Sequence, residues 1–268
     1  MSILQSIILG VIQGLTEFLP ISSSGHLAVV PYLLGWPNPP FSFLVLVQVA
    51  SLAAVITFYW NDIIDLSRAL VFALRQRNPL LTKESSLALY LLLATIPAGI
   101  AGLFLKDFVE MAFTTPSAIA FFFLITAGLL ALAERLGRRY RSLNDINAMQ
   151  ALIIGLFQAL AIFPGLSRSG STISGGMLQG LERPSAARFA FLMSIPIMFA
   201  AGFLEIMELF NTPNASNLLV YLPGLIASAI VSYLSIRWLI RYLSHHSLYI
   251  FSFYCLFMGL LIFVVKQP

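Results

Sequence analysis

Apolar residues in this chain come in long runs, not in alternation. Six runs, at 41–60, 87–105, 117–134, 186–209, 218–235 and 247–265, approach the about 20 residues that a helix needs to cross a bilayer. None alternates apolar and polar positions with period 2, so spanning helices are predicted rather than a β-barrel. Two further regions are apolar but interrupted. Residues 3–19 run into Leu19-Pro20 and SSSG, then a short run at 27–35; residues 148–163 run into Pro164-Gly165 and SRSG, then a short run at 171–181. Each piece is too short to cross comfortably. A helix, a polar Gly/Pro break and a second helix predict a re-entrant hairpin. Asp62 to Leu74 is short and amphipathic and predicts a helix lying in the membrane interface. Ile96-Pro97 and Ile195-Pro196 predict kinks.

Charge orients these elements. Residues 61–86 carry Arg68, Arg75, Arg77 and Lys83; 134–145 carry Arg135, Arg138, Arg139 and Arg141; 237–246 carry Arg237 and Arg241. The loop at 106–116 sets Lys106 against Asp107 and Glu110, and 210–217 has no charge. The positive-inside rule puts the first three loops in the cytoplasm. Segment 186–209 then starts inside, near Arg183 and Arg188, and ends outside at NTPNASN. Residues 148–185 must begin and finish on the cytoplasmic side, which a hairpin does.

The two broken regions match each other. GVIQGLTEFLPISSSGH (Gly10 to His26) aligns with GLFQALAIFPGLSRSGS (Gly155 to Ser171) at a constant offset of 145 residues. Gly10 meets Gly155, Gln13 meets Gln158, Ser22 meets Ser167, Ser24 meets Ser169 and Gly25 meets Gly170; the prolines are off by one. Polar matches at fixed spacing point to an internal duplication. One hairpin plus three spans per half leaves the second half starting on the opposite side. The expected fold is an all-α integral membrane protein: six transmembrane helices plus two re-entrant helical hairpins in two inverted-topology repeats. They form one polytopic domain over 1–268, with halves at about 1–140 and 145–268. The two tips then meet inside the membrane.

Composition agrees. Of 268 residues, 59% are hydrophobic and 10% charged, against about 25% charged in soluble domains; mean hydropathy is +0.91. Phenylalanine, with 22 residues, suits surfaces facing membrane lipids. The net charge of +4 reads as loop arginines near anionic lipid, not as a nucleic-acid footprint, so no nucleic acid is expected as a partner. The single cysteine, Cys255, excludes an intrachain disulfide and reads as a small buried hydrophobe. MSILQSIILG lacks the basic start of a cleavable signal peptide and is expected to be mature sequence.

The chemistry sits at the breaks. Arg168 is expensive in a membrane and needs an anionic partner. That partner is either an acid such as Glu17 or an oxyanion ligand, to which guanidinium gives two parallel hydrogen bonds. Gly25, Gly165 and Gly170 let backbone N–H groups approach an anion, and each break precedes a half-helix with a positive N-terminus. Ser167, Ser169 and Thr172 add hydroxyl donors, unless they serve only as caps. Gln13 and Glu17, four residues apart, share a helix face. Gln13 reads as an interhelical hydrogen bond or a ligand; Glu17 could hold a divalent cation or orient a base. His26, three residues after Ser23, could pair with it as base and nucleophile. His245 and His246 lie in a loop and are expected to be solvated.

QGLTEFLPISSSGH resembles the first signature of the bacterial undecaprenyl-diphosphate phosphatase family, also called the bacitracin-resistance family, and PGLSRSGST resembles its second. The resemblance covers the whole chain and both motifs are specific. It implies a phosphatase of the bacterial inner membrane that converts undecaprenyl diphosphate, a polyprenyl diphosphate lipid, to the monophosphate carrier of cell-wall precursors. It implies dependence on Mg2+ or Ca2+. The family's acidic motif falls on Gln13 and Glu17, its serine and histidine on Ser23 and His26, and its second-motif serine, arginine and threonine on Ser167, Arg168 and Thr172. Many members carry glutamate at the first position, so Gln13 departs from a paired carboxylate. The expected catalytic residues are Glu17, Ser23, His26 and Arg168, with Glu17 also the metal ligand. Expected to bind substrate are Gln13, Ser22, Ser24, Gly25, Gly165, Ser167, Ser169, Gly170 and Thr172. The attacking group is left open among Ser23, His26 and water, as is the side from which the pocket is reached. Oligomeric state is not encoded legibly, and a homodimer stands as an open expectation.

Two other classes compete. A lipid-phosphate flippase or anion transporter would use the same architecture and Arg168, but has no need of Ser23 with His26. An intramembrane serine protease is disfavoured, because Gly165-Leu-Ser167-Arg-Ser169 lacks the second glycine of G-x-S-x-G.

Overall fold

A computed structural model describes residues 1–113, 115–210 and 218–265. Among them the chain forms twelve α-helices: α1 (Ile3–Phe18), α2 (Ser23–Leu33), α3 (Phe41–Phe58), α4 (Trp60–Arg75), α5 (Lys83–Phe104), α6 (Lys106–Phe113), α7 (Pro116–Leu136), α8 (Ala148–Leu160), α9 (Arg168–Leu178), α10 (Arg183–Phe210), α11 (Leu218–Leu243) and α12 (Tyr249–Val265). Five of them, α3, α5, α7, α10 and α11, are long and apolar enough to cross a membrane. The chain is therefore a multi-pass membrane protein. The sixth predicted run, 247–265, forms α12, which at 17 residues is one of the shorter apolar helices. It starts late because the Leu248 N–H donates to Glu134 Oε2 (3.0 Å) as the chain turns in.

Hydropathy marks where the bilayer lies, while helical hydrogen bonding continues past it. The loop expected at 237–246 is thus largely the last turns of α11, and the loop expected at 106–116 contains α6. The expected interfacial helix is α4, whose exposed face mixes Trp60, Val71, Phe72 and Leu74 with Arg68 and Arg75. Pro97 and Pro196 lie inside the continuous helices α5 and α10. The outer segment NTPNASN lies outside the described residues.

Both broken regions fold as helix, turn, helix. Small residues seat them. A side chain at Gly10 of α1 would collide with the backbone of Gly224 in α11, and one at Gly155 of α8 with the backbone of Ala94 in α5. Ser6 Oγ, one turn before Gly10, donates to Tyr221 O (3.1 Å) and accepts from Gly224 N–H (3.1 Å). Close backbone approach of this kind is how helices associate without a hydrophobic driving force. α7 packs on α12, and α3 on both α10 and α11. Phe18, Phe123, Phe189 and Phe191 are fully enclosed in the core between them.

At the arginine-bearing end a buried carboxylate acts as a clamp. Glu134 of α7 pairs with Arg139 (2.5 Å) and with Arg183 at the start of α10, while also taking the Leu248 N–H. A buried charge is tolerable when its oxygens are satisfied in this way.

Candidate active site

The turn after α1 bends the chain so that α2 starts beside the end of α1. Ser22 makes that bend at φ +68°, a left-handed conformation that is unfavourable for a serine by about 1–3 kcal/mol and that clusters at functional sites. Its hydroxyl caps α2 by accepting from Gly25 N–H (3.3 Å). In the second break Gly165 takes φ +94°, as glycine can, and its missing Cβ lets the turn press on the backbone of Ile119 in α7. Ser167 caps α9 through Gly170 N–H (3.0 Å), and its own N–H is held by Thr126 Oγ1 (3.0 Å).

The two breaks lie against each other. A Cβ at Gly25 would sit 3.3 Å from Gly165 Cα, and Ser169 Oγ donates to Leu19 O (3.0 Å). The polar centre is Glu17. Its Oε1 is ion-paired with Arg168 across the junction, and its Oε2 accepts from Ser23 Oγ (2.6 Å) and from Gln13 Nε2 (2.9 Å). Bonding to a carboxylate fixes the Gln13 amide with its N–H₂ toward Glu17 and its carbonyl oxygen free. Behind it, Ser51, Ser228 and Ser232 link α3 to α11 through hydroxyl contacts of 3.1 Å. Arg168 thus takes the acid as its partner, the first of the two possibilities open to it.

Ser23 and His26 do not pair. His26 is buried with both ring nitrogens engaged: Nδ1 with Ser22 O (2.7 Å) and Nε2 with the hydroxyl of Tyr254 in α12 (2.6 Å). The serine hydroxyl is given to Glu17 instead, so the carboxylate, not the imidazole, is the base within reach of Ser23. Thr172 turns its hydroxyl to the carbonyls of Arg168 and Ser169 (2.8 and 3.2 Å), as a helix residue satisfying its own backbone. Ser22 and Ser24 are 3.4 Å apart, and Ser167 and Ser169 3.2 Å.

A cavity of about 790 Å3 opens over this centre. Gln13, Glu17, Ser23 and Ser24 give it a polar floor, and Leu27, Leu44, Val45 and Ile262 give it apolar walls. Arg168 and His26 lie behind the floor, reached through Glu17 and through the first turn of α2. The mouth is formed by the first turns of α3 and α7 and the last turn of α12, at residues such as Phe41, Pro116 and Val265. These are the helix ends remote from the arginine-bearing loops. Gln48 of α3 also faces the cavity. Sequence reasoning missed it, although a glutamine inside an apolar span was a usable signal. Tyr254 and Thr126 gave no such signal.

A helical membrane protein whose two broken segments join an acid, a hydroxyl and an arginine under an apolar-walled cavity belongs to the class of membrane proteins that handle anionic lipid headgroups. The family model for bacitracin resistance protein BacA matches residues 6–261. The chain is 41% identical to a protein of Thermomicrobium roseum over 99% of its length and 98% of the relative's, and 42% identical to one of Chlorobaculum tepidum over 97% and 95%. A protein of Moorella thermoacetica is 40% identical over 99% and 98%. All three bear the name undecaprenyl-diphosphatase. This chain belongs to the bacitracin resistance protein BacA family.

Proposed function

We propose that the protein is an undecaprenyl-diphosphatase, a hydrolase that releases phosphate from undecaprenyl diphosphate and returns the lipid monophosphate to cell-wall synthesis. The observation that carries the reading is the chain Ser23–Glu17–Arg168, which unites the two breaks, with Ser23 and Glu17 on the floor of a cavity with apolar walls and Arg168 directly behind it. Family membership and the relatives' shared name support it. The diphosphate occupies the floor, and the prenyl chain leaves along the apolar wall into lipid.

In this reading Ser23 Oγ attacks the terminal phosphorus while its proton passes to Glu17 Oε2, the bond to the bridging oxygen breaks, and undecaprenyl phosphate leaves. Arg168 exchanges Glu17 for the phosphate oxygens and stabilises the charge that builds on the transferring group. Water then hydrolyses the phosphoserine. The N–H groups at Gly25 and Gly170 and the hydroxyls of Ser22, Ser24, Ser167, Ser169 and Thr172 keep the turns in shape around the headgroup. Mg2+ or Ca2+ fits this floor in one mode only. Among the described residues no cluster of three His, Cys, Asp or Glu side chains exists. Glu17 and the free carbonyl oxygen of Gln13 would instead hold the ion together with substrate phosphates, as a hard cation with few protein ligands is commonly held. It would neutralise phosphate charge.

The fold extends the reading. We take α1–α7 and α8–α12 as inverted repeats, with α12 as the sixth span. In support, α1 meets α11 at Gly10 as α8 meets α5 at Gly155, and these two glycines are aligned in the sequence repeat. With arginine loops in the cytoplasm of a bacterial cell, the cavity mouth faces outward across the plasma membrane. The test is phosphate release from undecaprenyl diphosphate by purified protein in detergent with Mg2+. An enzyme liberates phosphate there and S23A does not; a carrier liberates none, which would overturn the proposal.

A further inference from the structure

We infer that Tyr254 is a positioning residue for His26: its hydroxyl holds the imidazole Nε2 and thereby fixes the first turn of α2, on which Ser23 stands. The inference rests on the phosphatase reading only for its kinetic consequence.

His26 Nδ1 lies 2.7 Å from a carbonyl oxygen, that of Ser22. A carbonyl only accepts, so Nδ1 carries the proton. Among the described residues no carboxylate bonds to the ring, so the neutral tautomer results, with a bare lone pair on Nε2. The Tyr254 hydroxyl, 2.6 Å away, is the donor that satisfies it. The two rings are nearly parallel, at 7°, and Phe123 closes the other side of the imidazole edge-on. His26 is therefore held by three elements at once: its own turn, α7 and α12. Tyr254 itself is 38% exposed, and among the described residues its hydroxyl makes no other hydrogen bond.

This arrangement has a use. The α2 turn contains a serine at positive φ and three consecutive hydroxyls. Ser22 contributes both ends of the lock, its Oγ to the Gly25 N–H and its carbonyl to His26 Nδ1. Tyr254 anchors the far end of that lock to α12. Ser23, three residues before His26, then keeps its hydroxyl directed at Glu17. Loss of the tyrosine hydroxyl leaves the buried Nε2 unsatisfied and the turn tied at one end only.

Y254F removes the hydroxyl and keeps the ring. With 15N-histidine labelling, the chain's three histidines separate, and H26A identifies the buried one. We expect Y254F to move the His26 Nε2 resonance downfield to that of an unbonded ring nitrogen, with Nδ1 still protonated. We expect kcat for phosphate release to fall roughly three- to tenfold, the worth of one hydrogen bond, with KM within about twofold. Y249F, on the same helix but away from the imidazole, leaves both unchanged. An unmoved nitrogen resonance overturns the contact. An unchanged kcat, or a raised KM at constant kcat, overturns the positioning role. Should wild type release no phosphate at all, the phosphatase reading fails, and the resonance alone decides whether Tyr254 holds His26.

Discussion

The smallest unit that matters here is the Glu17 carboxylate. Three side chains meet it, Gln13 and Ser23 on one oxygen and Arg168 on the other, with the cavity in front. Arg168 does two things that lysine cannot do together, pairing with an acid and then presenting a planar fork to a phosphate. R168K should therefore lower kcat by about 100- to 1,000-fold, the effect of removing a transition-state anion donor, with a thermal midpoint near wild type. Phosphate release and a melting curve on the same preparation check this. E17Q keeps the shape but removes both the proposed base for Ser23 and the charged partner of Arg168. It should lose about 100- to 10,000-fold in kcat, and H26A should lose less, because His26 touches the turn and not Ser23. A larger loss in H26A than in E17Q would return the imidazole to the role of base.

At the scale of elements, the decisive contacts are those of α1 on α11 and α8 on α5. Each places a glycine where a methyl group would strike a neighbouring backbone. G10A should destabilise the protein by about 1–3 kcal/mol through overpacking, read as a lower melting temperature, and G155A should do the same. Gly128 of α7 has open space where its Cβ would stand, so G128A should be neutral or stabilising by up to about 1 kcal/mol. Similar losses at all three positions would mean that close packing does not govern these helix pairs. The motif glycines were visible in the sequence because each lies in a repeated pattern. Gly224 was not, since nothing near it marks the backbone that Gly10 needs.

The whole molecule has a polarity. The arginine loops and the Glu134 clamp gather at one end, and the cavity opens at the other. Impermeant maleimide can test it in intact cells, in a Cys255→Ser background. N38C, beside the cavity mouth, should label from outside. N78C, between α4 and α5, should label only after permeabilisation. The reverse pattern would turn the cavity toward the cytoplasm.

The linear sequence determined the properties that depend on neighbours along the chain. Hydropathy runs set the membrane helices, Gly/Pro/Ser clusters set the two breaks, and i to i+4 spacing put Gln13 and Glu17 on one face. The two motifs brought nearly all the residues of the polar floor into view. Tertiary structure alone decided who meets whom. Arg168 found Glu17 from 151 positions away, and His26 took Tyr254 from 228 away in place of Ser23. Local energetics fix how each helix forms, but a side chain's partner depends on how far apart helix axes settle and how each is rotated. Those quantities follow from packing summed over the whole bundle, and no single stretch of residues encodes them.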